Sequence, residues 1–367
     1  MGNSMVIRTG CRLGAVLMLL AACQRVSLPD SASQGSIGFD AGIGLLQENG
    51  TKSDLDTRST FSNGDSFRVF GRRVGEGQVT RILDGAQVTY NQAQDKWSYN
   101  PETYWHWVNR TNYYDFLAVY PDPAGANQSH RMVDGAGRDI PGNLAVQKPY
   151  RLSDDYDLLM AGTRRPGANE ATRSLRVPLT FRHMLCAVKV NVKNESASYG
   201  LSLNSVKFDN LVQRAQAKVT IDALGEPEFS WIDTERNSEE LAVLPAPTNL
   251  ASGESFETAE YTLFIPCDLA VAIDGSTDPA AEGYRDLVPH LIINYTGEGD
   301  LAPRNVPIPL LDIQKTRHGT QDPISVWEPG IKYAYNITIR LNGDVLVTVV
   351  TTEWDEVQAE TPGLLIE

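Results

Sequence analysis

The sequence of 367 residues has little cysteine, little histidine and a deficit of positive charge, and each shortage removes a class of function. Four cysteines are too few for a disulfide-built scaffold of this length. The five histidines, His106, His130, His183, His290 and His318, are scattered without the spacing that a metal site needs, and read as structural or exposed. Lys and Arg total 32 against 46 Asp and Glu, a formal net charge of -14, which argues against nucleic acid as a partner because phosphate binding needs a clustered positive field. Gly-x-Ser-x-Gly, His-Glu-x-x-His, a phosphate loop and a dinucleotide fingerprint are all missing. The acidic knot Asp154, Asp155 and Asp157 lacks the glycine and the spaced oxygens of a calcium loop, and reads as a solvated loop. No catalytic residue, metal site or cofactor is therefore expected.

Long apolar runs are missing too, except at the start. Arg8 and Arg12 precede the apolar run Leu13–Leu19, which ends in Leu20-Ala21-Ala22-Cys23. That order is a secretory signal, and its apolar core is about half the roughly 20 residues that a membrane span requires. Leu-Ala-Ala-Cys resembles the lipobox of bacterial lipoproteins, which implies removal of residues 1–22 and lipidation of Cys23. Several acyl chains on one cysteine, at about 0.8 kcal/mol per buried CH₂, make a stable attachment where one chain is marginal. Residues 23–34 then read as a lipidated polar tether, and the remainder as soluble. Cys11 leaves with the signal, so only Cys186 and Cys267 are left to pair. A disulfide is permitted in the cell envelope, while their apolar, strand-like settings suit two buried free thiols.

Beyond the tether the hydrophobic period is two. The clearest case is Tyr335–Leu341 and Asp344–Val350 around Asn342-Gly343, alternating runs flanking a pair that tolerates positive φ, which predicts a hairpin. Similar runs lie at Phe67–Phe70, Phe116–Tyr120, Ala187–Val192, Val206–Phe208, Tyr261–Ile265 and Leu291–Tyr295. No sustained helical stripe occurs, and Ala280–Leu287 and Glu239–Leu244 are the places left for short helices. Many short strands predict an all-β protein of sandwiches or barrels. The length fits two domains, and the stretch Gly162–Arg176, with little to bury, is read as the linker between sandwiches at 35–172 and 173–367.

Aromatic residues are concentrated between Trp97 and Tyr120. Trp97, Trp105 and Trp107 are candidate glycan contacts, since flat rings stack on sugar faces. Filling space between sheets is the reading that strand aromatics favour.

Taken together, these landmarks resemble the fimbrillin family, the type V pilins and fimbrillin-like surface lipoproteins of Bacteroidales. The resemblance rests on Ile37-Gly38-Phe39, on Phe61–Gly71, on Trp97-Ser98-Tyr99 leading to Tyr104-Trp105, and on Tyr114–Pro121. It continues through Asp157-Leu158-Leu159, Val177–His183, Phe264-Ile265-Pro266 and Trp327–Tyr335. It implies two tandem transthyretin-like β-sandwich domains on an outward-facing outer-membrane lipoprotein, and a non-enzymatic fimbrial subunit or adhesin. It also implies assembly with other fimbrial subunits by donor-strand exchange. A trypsin-like cut after Arg58 would release the first strand, carrying Ile37 and Phe39, and a strand from another subunit would fill the groove. After Trp354 only residues 355–367 remain, shorter than the donor of a stalk pilin, so a tip subunit, an anchor or a non-polymerising relative is expected. Asp30-Ser31-Ala32 is similar to the O-glycosylation sequon of exported proteins in the same bacteria, which marks Ser31. Host or bacterial surface ligands are further candidate partners, and the alternative function is a surface lipoprotein that captures glycans through the Trp97–Tyr120 aromatics. Replacing Cys23 with Ala should abolish incorporation of a fatty-acid label in a bacterial host and move the protein from the membrane to the soluble envelope fraction; labelling that persists in the variant would refute the anchor.

Overall fold

The computed structural model describes residues 36–43, 61–75, 77–105, 111–121, 131–132, 145–154, 156–167, 176–236, 241–244, 247–270, 288–317, 320–340 and 343–354. Among them the regular structure is strand, with three short 3-10 turns and no α-helix. In chain order the first nine strands are β1 (Phe39–Ile43), β2 (Ser66–Gly75), β3 (Gln78–Asn91), β4 (Lys96–Ser98), β5 (Thr111–Tyr120), β6 (Arg131–Met132), β7 (Ala145–Arg151), β8 (Leu159–Pro166) and β9 (Val177–His183). Next come β10 (Cys186–Asn194), β11 (Leu201–Asp209), β12 (Val212–Ile221), β13 (Pro227–Arg236), β14 (Leu241–Ala242), β15 (Thr248–Leu250), β16 (Ser255–Glu257), β17 (Thr262–Phe264) and β18 (Cys267–Asp268). The last seven are β19 (His290–Gly297), β20 (Arg304–Pro309), β21 (Gln314–Arg317), β22 (Thr320–Pro323), β23 (Val326–Trp327), β24 (Ile331–Ile339) and β25 (Val345–Glu353). The protein is all-β with sandwich-like sheets, as the period of two predicts. Of the two places left for helices, Leu241–Ala242 is strand and residues 280–287 lie outside the described set.

The N-terminal sheet runs β1-β9-β8-β5-β2-β3-β4. It curls until its two end strands lie side by side, where Ser36 forms an antiparallel bridge with Tyr104. Alternation along β5 gives each face its own core. Tyr114, Phe116 and Ala118 point inward with Phe67, Val69, Leu159 and Phe181, whereas Leu117 and Val119 point outward with Phe70 and Met160. The outward face is covered by a second sheet, β13-β12-β7-β6, through Val146, Tyr150, Ala217 and Val219.

In the C-terminal part, one sheet (β16-β10-β24-β25-β21-β22) faces another (β14-β11-β19-β20). Val188, Val190, Tyr335 and Ile337 from the first meet Leu203, Phe208, Leu291 and Ile293 from the second. The hairpin expected around Asn342-Gly343 is the β24–β25 pair, in which Tyr335 faces Val349 and Gly343 has φ +84.

The linker expected at Gly162–Arg176 is not one over its first part, because Gly162–Pro166 belong to β8 and pair with Tyr113–Leu117. Gly162 is there for close packing: a Cβ would come within 2.9 Å of Pro227 and 3.1 Å of Leu117. Two sets of strands also cross the boundary expected at residue 172. β9 joins the N-terminal sheet, and β12 pairs with β7 over Arg214–Thr220.

The crossing hairpin β12–β13 is pinned by charge. Asp115 is fully buried on β5 and accepts hydrogen bonds from Arg72 (2.7 Å) on β2 and Arg164 (2.7 Å) on β8. The Arg164 guanidinium also donates to the carbonyl of Ala223 in the hairpin turn (3.2 Å) and lies 4.0 Å from the centre of the Tyr113 ring. Its hydrogen bonds to Asp115 raise its pKa above the ordinary arginine value. Removing one member of a buried ionic group strands the others, at about 3–5 kcal/mol. Asp115→Ala should therefore lower the unfolding free energy by about that amount in urea titration. A loss below about 1 kcal/mol would show that the cluster does not hold the hairpin.

Candidate functional site: the first strand and its groove

The side chains of Ser36–Ile43 alternate in direction about the core. Ile37 and Phe39 are buried, Ala41 and Ile43 are half-buried against the same core, and Ser36 and Asp40 are exposed. One side chain in two therefore enters the groove, as a period of two requires. Phe39 is the largest of these side chains, with its ring centre 5.8 Å from that of Phe116, 5.6 Å from Tyr99 and 6.4 Å from Phe67. Full burial of Ile37 and Phe39 contributes about 1.5–3 kcal/mol for each side chain.

The backbone of this segment is held on both sides. β1 runs parallel to β9, with Phe39 opposite Val177 and Ile43 opposite Phe181, and the Val177 N–H donates to the Gly38 carbonyl (2.8 Å). On the other side the Ile37 N–H donates to the Thr103 carbonyl (2.8 Å) and the Tyr99 hydroxyl donates to the Ile37 carbonyl (2.8 Å). Burial pushes the Tyr99 pKa up from 10.0. The folded state thus favours the neutral phenol, so this contribution is complete below the unfolded pKa of about 10 and is lost as pH rises through the folded value.

β9 depends on this neighbour. It pairs with β1 over five residues but with β8 over only two, Leu159 with His183 and Met160 with Arg182. From Val177 to Phe181, its described ladder partner is therefore the first strand. At its far end His183 is buried, lies 2.8 Å from Asp157 and stacks on Trp354 with ring centres 4.1 Å apart.

The candidate glycan platform is corrected for two of its three residues. Trp97 and Trp105 are 6% and 2% exposed, too little to present a ring face to a sugar. Trp97 packs against Phe61 (4.9 Å), Phe67 (4.8 Å) and Tyr90 (5.0 Å), and Trp105 stands edge-on to Tyr114 (4.9 Å). Trp107 lies outside the described residues, as do Cys23, Ser31, Arg58 and Asp155. Among the described residues no group of acidic, histidine and cysteine side chains is placed to hold a metal ion, and no helix is long and apolar enough to cross a membrane. Cys186 and Cys267 are buried free thiols. Arg176 and Thr103 hold the first strand yet carry no sequence signal beyond their ordinary side-chain chemistry, and Tyr99 is marked by the Trp97-Ser98-Tyr99 landmark without its hydrogen bond to Ile37 being legible.

The site is therefore an edge strand whose alternate side chains fill a curled sheet of an all-β protein. A family model described as fimbrillin-like matches residues 53–268, more than half of the chain, and the chain belongs to that family. In fold it is similar to a fimbrial protein from Bacteroides vulgatus ATCC 8482, with a TM-score of 0.56 and 17% identity over 87% of this chain and 99% of that one. A fimbrilin from Porphyromonas gingivalis W83 is also similar, with a TM-score of 0.42 and 9% identity over 87% of this chain and 97% of that one. No curated protein matches the chain.

If Phe39 anchors the segment, Phe39→Ala should destabilise the fold by about 3–5 kcal/mol and raise hydrogen exchange at the amides of Val177–Phe181 more than elsewhere in the sheet. Unchanged protection there would show that β9 is held by other contacts.

Proposed function

We propose that the protein is a non-enzymatic fimbrial subunit or adhesin at the bacterial cell surface, and that its first strand is a replaceable occupant of the N-terminal sheet. The observation that carries this reading is the place of Ile37 and Phe39. They are fully buried, on an edge strand that is paired along one side by β9 and bridged at Ser36 to Tyr104 on the other. A segment that leaves such a position exposes an apolar trough and a row of unpaired backbone groups together. An incoming strand gains burial and hydrogen bonds in one step. Membership of the fimbrillin-like family supports assembly with other fimbrial subunits.

In this reading the chain is exported, anchored in the outer membrane through lipid on Cys23, and carries Ser31 in its tether as a candidate for O-glycosylation. A protease that prefers arginine cuts after Arg58, between the first strand and β2, and so frees the segment that holds Ile37 and Phe39. Strand exchange then joins subunits without any turnover of substrate or cofactor.

Brief trypsin treatment of the lipid-free protein, followed by mass spectrometry and gel analysis without boiling, tests it. Cleavage after Arg58 with loss of the N-terminal fragment is expected, and a concentration-dependent ladder would in addition mark a polymerising subunit rather than a tip or an anchor. A chain that is cut there but keeps its fragment and stays monomeric at high concentration would count against exchange.

A further inference from the structure

Arg176 lies immediately before β9 and touches the first strand at two outward-facing positions that the pocket residues do not use. Its guanidinium Nη1 is 3.3 Å from Asp40 Oδ1. Its aliphatic stem lies over Gly38, where a Cβ would come within 3.3 Å of Arg176 Cγ. The two contacts are made by one side chain and so constrain each other. A residue with a Cβ at position 38 requires the stem to shift by a few tenths of an ångström, and a larger one competes with the stem for the space that aims the guanidinium at Asp40. The Val177 N–H, one residue along, bonds the Gly38 carbonyl and fixes which residue of the strand lies beneath Arg176.

We infer that Arg176 is the specificity-determining residue of the groove. It selects an incoming parallel strand that has a small residue between its first two apolar side chains and a carboxylate after the second. This inference rests on the strand-replacement reading above and names the kind of polypeptide that the groove takes. The inward positions alone select weakly, because any strand that alternates apolar residues meets their demand. The outward pair adds charge and a size limit, and it fixes register, since a slip of two residues would take the carboxylate away from Arg176. The run apolar, Gly, apolar, acidic occurs once in the 367 residues, at Ile37–Asp40, so this segment is the natural reference ligand.

The full-length lipid-free chain, nicked by protease between Ile43 and Phe61, is incubated with fluorescent peptides carrying the Ser36–Ile43 sequence, and retention is followed by anisotropy. The unmodified peptide should be incorporated. Peptides with Asp40→Lys or Gly38→Val should be retained about two- to fivefold less, with the two changes together costing less than their product. In the Arg176→Glu protein the order of the Asp40 and Asp40→Lys peptides should reverse, and in Arg176→Gln they should become equal. Equal retention of all peptides by the unaltered protein would overturn the role of Arg176 while leaving strand replacement intact. Failure of every peptide to enter a fully nicked chain would overturn both.

Discussion

The N-terminal sheet is closed by a segment that meets only part of it. β9 is hydrogen-bonded to β8 at one end and to β1 along the rest, and β1 is held in turn by the burial of Ile37 and by Phe39 packed against the Tyr99 and Phe116 rings. Most edge strands are dispensable ornaments on a core that exists without them. This one supplies core residues and the ladder partner of its neighbour at once. Alternate side chains and the backbone ladder with β9 together make it part of both the core and the sheet.

Stability elsewhere is arranged so that this end can be unusual. The second sheet covers the outward face of the first, and the β12–β13 hairpin is fixed to it by Arg164, which joins buried Asp115 to the turn at Ala223. A carboxylate in an apolar interior is tolerated because two guanidiniums neutralise it from neighbouring strands. The hairpin thereby ties strands from beyond residue 172 to the N-terminal sheet, and one continuous hydrophobic cluster runs from Phe70 through Val219 to Val349. Disturbance at the inward core of the first strand is separated from that cluster by the thickness of the sheet.

The sequence makes the strands legible because their side chains alternate, and a paired Asn342-Gly343 marks its hairpin because few other residue pairs accept the backbone it needs. Ile37 and Phe39 are legible as a strand for the same reason. The parallel pairing to β9 is not, since register between segments some 140 residues apart leaves no local pattern. Gly162–Pro166 misleads for a physical reason. Small and charged residues commonly mean solvent, but here glycine admits Pro227 against the sheet and Arg164 neutralises an interior carboxylate. Trp97 and Trp105 show the converse: aromatic density marks a core as readily as a binding face, and only exposure separates the two.

The two described cysteines add a last consequence. Cys186 and Cys267 are unbridged, and burial is the main force raising both thiol pKa values, Cys186 well above its ordinary value. Protonated and shielded, they are poor nucleophiles and poor targets for oxidants. The core around these two residues is thus held by packing, with no covalent cross-link between them.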